Sequence, residues 1–158
     1  MPNAKSRWRN AIVAVEFEYM ATRFSLDWLL GAAVEEINDV AEANGAAEPP
    51  RGAINDAYRY LSATYFIRMF SVFERAILSF WRFHHGYDAD GPKVERLIDD
   101  VATILAIDYR LIEQAQESRD RRDKVIHRPF HLHAAGLDLG EQMSRLLAYL
   151  DRLPPSWP

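Results

Sequence analysis

The sequence predicts an all-α protein, an up-and-down bundle of four main helices with a fifth at the C-terminal end. Three observations carry this. Apolar residues recur three and four apart through most of the chain. Strong breaks are few: GAAEPPRG at 45–52, GYDADGP at 86–92, and Pro129 followed by Ala135-Gly136. No segment alternates cleanly between apolar and polar residues within hairpin turns. Long helical runs with short connections pack as antiparallel neighbours.

The first run, about Arg7 to Asn44, places Trp8, Ile12, Val15, Tyr19, Leu26, Leu29, Leu30, Val34, Ile37 and Val40 at helical spacing. Gly31 inside it marks a close helix crossing or a kink. The second run, about Ile54 to His85, has a wide aromatic face that includes Tyr58, Tyr65, Phe66, Phe70, Phe73, Phe80 and Trp81. Such a helix is either central in the bundle or shared with another subunit. His84-His85 before Gly86 reads as a helix end. A third helix runs from about Pro92, a favourable first helical residue, to Ile107. A fourth begins near Asp108, a fitting N-cap, and runs to His127. A fifth covers about Asp138 to Leu153. The tail LPPSWP cannot continue it, and Trp157 there docks on the body or on a partner. The chain reads as one domain, with a long N-terminal helix over 1–45 and a motif-bearing bundle over 54–153.

The 158 residues suffice for a single core. There are no cysteines, so disulfides and thiolate metal sites are excluded. Glu16 and Glu18 interrupt the apolar core a signal peptide needs, and no stretch has the length of a membrane span. The expectation is a soluble cytoplasmic protein without membrane association.

The formal net charge is -4, which speaks against a broad nucleic-acid-coating surface. The distribution is uneven. Residues 119–133 hold Arg119, Arg121, Arg122, Lys124 and Arg128 against Asp120 and Asp123, a surplus of three positive charges on an otherwise acidic chain. Such an island suits a compact anion, a phosphate or a few nucleotides. The simpler alternative is a solvated last turn whose cations complement the helix dipole.

Within the island, Arg122 and His127 stand five residues apart. On an ideal helix that is about 140° and about 7.5 Å, so convergence requires the backbone to be leaving the helix before Pro129. Val125 and Ile126 would then pack inward. Two such ends meeting across a symmetric dimer would build one groove with two arginines and two histidines. His127, His131 and His133 also form H-x3-H-x-H. Pro129 breaks the helical geometry that would align the first pair for zinc, and no carboxylate lies in the run. No metal and no cofactor are expected.

Arg122-Asp123-Lys124-Val125-Ile126-His127, late in an all-helical domain, resembles the Rx4-6H motif of the HEPN superfamily. There, a polar residue directly after the arginine is common. Tyr60 to Trp81, with Glu74 in its second half, is similar to the aromatic helix of many members. Arg121 also falls within the looser spacing, but only Arg122 puts Asp123 in the polar slot. The resemblance implies a metal-independent endoribonuclease with RNA as substrate and a homodimer as the working form, either a toxin with an antitoxin protein partner or another defence component. It implies His127 as acid/base, Arg122 as phosphate clamp and Asp123 as orienting partner. Arg119, Arg121, Lys124 and Arg128 would guide the strand, with His131 and His133 as secondary RNA contacts. The chemistry suits the residue types: RNA carries its own 2′-hydroxyl nucleophile, histidine titrates near neutrality, and a guanidinium fork fits a phosphorane. The alternatives are a catalytically inactive HEPN-like nucleotide- or nucleic-acid-binding or scaffold module, and a plain helical dimer. Glu74 is expected to pair with an arginine, Arg68, Arg75 or Arg82.

Overall fold

The computed structural model describes residues 3–32, 34–45, 51–87, 91–127 and 137–157. Among these are six helices: α1 (Lys5–Gly31), α2 (Val34–Ala43), α3 (Arg51–His85), α4 (Val94–Leu105), α5 (Tyr109–His127) and α6 (Leu139–Leu150). Two-residue strands β1 (Asn3–Ala4) and β2 (Ser156–Trp157) pair antiparallel at the chain ends. No helix among the described residues is long and apolar enough to cross a membrane.

The single N-terminal helix expected over Arg7 to Asn44 is two helices. Gly31 is the last residue of α1, and Ala32 is extended at φ -72°, ψ 150°, with its N–H bonded to the Trp28 carbonyl. The space around Gly31 is open, so it is not a site of close helix crossing. Glycine is the weakest helix former of the run, and the helix stops there.

α3 is the spine. Its 35 residues extend over about 52 Å at ~1.5 Å per residue. Phe66, Met69, Phe70, Phe73, Ala76 and Ile77 have no exposed surface. α1, α4, α5 and α6 all pack against it. The aromatic helix is therefore central, the first of the two options its composition left open. Against it lie Ile12, Val15 and Tyr19 of α1, Leu97, Ile98 and Val101 of α4, and Leu146, Tyr149 and Leu150 of α6. Phe70, Phe73 and Tyr149 meet in series, tilted and then edge-on, with centroids 5.6 Å and then 5.5 Å apart. At His85 the ring lies on Trp81 and Nδ1 meets the Trp81 carbonyl at 3.0 Å, a helix-end contact as expected. Gly86 follows at φ 106°, a backbone that only glycine adopts without strain.

The remaining helices start on polar caps or nearly so. α4 begins two residues after Pro92, with Lys93 as N-cap, so Pro92 is not its first helical residue. Asp108 Oδ1 accepts from the Arg110 N–H at 2.9 Å, and Asp138 Oδ1 from the Glu141 N–H at 3.0 Å. Both aspartates satisfy orphan donors of the first turn. α6 ends at Leu150, and the tail then folds back. Trp157 is buried on the body: Nε1 donates to Ser79 Oγ at 3.1 Å, and the ring meets Phe80 edge-on. Lys5 Nζ closes the clasp by donating to the Asp151 and Leu153 carbonyls, each at 3.0 Å.

Candidate functional site at the C-terminal end of α5

α5 is a polar helix with a narrow buried stripe, Ala115, Ser118 and Val125. Ser118 anchors its middle. Its hydroxyl is fully buried and lies 2.9 Å from Gln142 Oε1 of α6. Arg145 of α6 reinforces this contact by donating to Glu117 at 2.6 Å. The register of α5 against α6 is thus set by hydrogen bonds. That fixes which residues of the basic island turn inward.

Arg122 turns inward. Its guanidinium lies over the Phe70 ring, 5.1 Å from the centroid. Nη2 donates to Glu74 Oε2 at 3.2 Å and Nη1 to Asp123 Oδ1 at 2.8 Å. Phe70 and Glu74 are one turn apart on α3 and form a platform and a wall for the same group. The Arg122 side chain keeps 21% of its surface, so one edge of the fork still meets solvent. Glu74 therefore pairs with Arg122 rather than with Arg68, Arg75 or Arg82. Arg68 instead reaches Glu18 of α1 at 2.7 Å.

His127 is the last residue of α5 and is exposed. The helix does not unwind before it. Val125 is buried, but Ile126 is 44% exposed and does not pack inward. Arg122 and His127 therefore keep their helical separation of about 140°. Within one chain they face different directions.

The other basic residues divide. Arg119 lies against Glu95 of α4 at 3.3 Å and pairs with Asp120. Burial works to lower its pKa, but the hydrogen bonds and charges of Asp120 and Glu95 together raise it above the ordinary arginine value. It sits at the rim of an open cleft of about 420 Å³ whose other charged residues are Glu95, Asp99, Glu113, Glu117 and Asp120. That cleft repels a phosphate strand. Arg121 is half-buried and Lys124 exposed, and neither is ion-paired among the described residues. Both remain available to an anion approaching the end of α5. Arg128, His131 and His133 lie outside the described residues. Among the described residues no cluster of three histidines, aspartates or glutamates is placed to hold a metal ion.

The sequence placed Phe70 only on the aromatic face of the second helical run, and Ser118 and Gln142 were not singled out. Phe70 and Glu74 at i and i+4 on one helix face are a legible pair. The Ser118–Gln142 bond joins residues 24 apart and leaves no local trace.

Comparison with models of known protein families, with curated proteins and with solved structures finds no match.

Proposed function

We propose that the chain is a metal-independent endoribonuclease of HEPN type that acts as a homodimer, of the kind found in toxin–antitoxin and defence modules. The observation that carries this reading is the contrast between its two central residues. Arg122 is oriented by two carboxylates and an aromatic face, while His127 stands open to solvent one and a half turns further on. RNA transesterification needs one held cation and one accessible proton carrier.

Because about 140° separates them within one chain, this reading puts the composite site across a twofold. Arg122 of one copy and His127 of the other then face one groove, with Arg121 and Lys124 at its edge. A neutral imidazole removes the 2′-hydroxyl proton as the oxygen attacks phosphorus. Arg122 turns its open edge to the phosphorane. The bond from phosphorus to the 5′-oxygen breaks and that oxygen takes a proton, from the second histidine or from water. The products are a 2′,3′-cyclic phosphate and a 5′-hydroxyl. Glu74 and Asp123 hold the fork in place.

A second reading has its own observation. Both carboxylates already occupy Arg122, and in a single chain His127 points elsewhere. This favours a catalytically silent module that binds a nucleotide or nucleic acid. Incubation with RNA in excess chelator separates the two. The enzyme leaves cyclic phosphate ends, and His127→Ala lowers the rate by about 10²–10⁴-fold with unchanged circular dichroism. The module binds RNA without cutting it, and Arg122→Ala weakens that binding. A protein that neither cuts nor binds RNA defeats both.

A further inference from the structure

The outer face of α1 carries large apolar residues that no described part of the chain covers. Phe17 is 69% exposed, Met20 56%, Phe24 75% and Trp28 49%. Their spacing of three, four and four puts them in one stripe along the helix. It lies opposite Ile12, Val15 and Tyr19, which enter the core. Single exposed apolar residues are ordinary on a protein surface, but a contiguous row of three aromatic rings and a methionine marks an interaction surface.

The pattern itself points to the occupant. About a centre between Met20 and Ala21, Phe17 mirrors Phe24 and Val13 mirrors Trp28. Two α1 helices laid antiparallel about a twofold at that centre set ring against ring, with the small Ala21 opposite Met20. One flank of the stripe holds Glu16 and Arg23. In this register Glu16 of one copy comes within about 3 Å, along the axis, of Arg23 of the second. Within the chain Arg23 donates to the Tyr19 hydroxyl at 3.3 Å and has an exposed pairing with Asp27 at 3.8 Å, and no ion pair engages Glu16 among the described residues. The area is also sufficient. At roughly 150–250 Å² per aromatic side chain the stripe exposes on the order of 400–500 Å² of apolar surface. Two copies would bury about 1,000 Å², where specific interfaces begin.

We propose that the outer face of α1 is a self-association surface, joining two copies of this chain antiparallel about a twofold axis at Met20 and Ala21. α1 packs on α3 and α6, whereas α5 packs on α3, α4 and α6, so the stripe and the pair Arg122 and His127 lie on different helices. The inference stands apart from the cleavage reading. Where both surfaces pair, the two twofolds close a tetramer only if their axes intersect at right angles.

Light scattering on a sizing column tests it at micromolar protein. Phe24→Glu should halve the wild-type mass, with circular dichroism unchanged because the side chain it replaces is exposed. A wild type that runs as a single chain, or an unchanged mass in Phe24→Glu, overturns the proposal. The absence of native cysteine allows a second test. Ala21→Cys should be captured as a covalent dimer by a short bismaleimide, and Thr103→Cys, on α4, should not. Failure to capture Ala21→Cys, or equal capture of both, overturns the antiparallel register. RNA cleavage plays no part in either measurement.

Discussion

α3 buries Phe66, Phe70, Phe73, Phe80 and Trp81, whereas α1, packed along it, leaves Phe17, Phe24 and Trp28 in solvent. Both helices are rich in aromatic residues at helical spacing. The difference lies in how many neighbours each has. Four helices pack against α3 and cover most of it between Phe66 and Trp81, although Arg68 and Arg75 stay exposed. α1 rests chiefly on α3 and α6, and its far side has no neighbour among the described elements. An aromatic face is therefore core or contact surface according to the packing order, and composition alone does not distinguish them. Most of the aromatic surplus of α3 belongs to the interior, and the exposed aromatic stripe is on α1.

Substitutions can break this contrast. The largest effect is expected at Phe73→Ala, which empties a fully buried ring between Phe70 and Tyr149. A loss of about 3–5 kcal/mol in urea unfolding is expected, and a loss below ~1 kcal/mol would mean that α3 is not the interior helix. Tyr149→Phe comes next. It removes the phenol that donates to the Ile98 carbonyl at 2.5 Å, for about 1 kcal/mol. Burial pushes this phenol above its ordinary pKa, with the charge of Asp99 adding to the shift. Its contribution is therefore complete below about pH 10 and fades as pH rises beyond. Alkaline unfolding of Tyr149→Phe should accordingly slope less steeply than that of the wild type.

Glu74→Gln is expected to be smaller still, under ~1 kcal/mol, because both partners of the pair with Arg122 are partly solvated. In the cleavage assay it should reduce the rate by loosening the fork, and an unchanged rate would separate Glu74 from the chemistry. Phe24→Ser should be smallest of all in chain stability, within about 0.5 kcal/mol when compared at a concentration where both proteins are monomeric. A large loss there would show that α1 has a hidden intrachain neighbour.

Much of the fold was legible because helices announce themselves locally. The caps at Asp108 and Asp138 and the aromatic face of α3 each follow from residues within a few positions. The division of α1 from α2 did not. Gly31 read as a kink or a crossing within one helix, and one glycine among helix formers is a weak local stop, yet α1 ends there. Within the candidate site, Arg122, Asp123 and His127 were legible as residue types. Their directions were not, because the phase of α5 is set by Ser118 and Gln142, far apart in sequence. Pro129 suggested an early end to the helix, yet His127 is still helical. Arg119 looked like one more guide for a strand. Only the approach of α4 shows its partner to be Glu95.

The clasp at the chain ends has a consequence for the order of folding. Asn3 pairs with Trp157 and Ala4 with Ser156, so this ladder closes a loop that contains nearly every other residue described. Closing so long a loop costs entropy that two short rungs do not repay until the helices have already drawn the ends together. The ladder should therefore be the last element to zip up during refolding. Amide protons in it should trade with solvent deuterium well before those of α3.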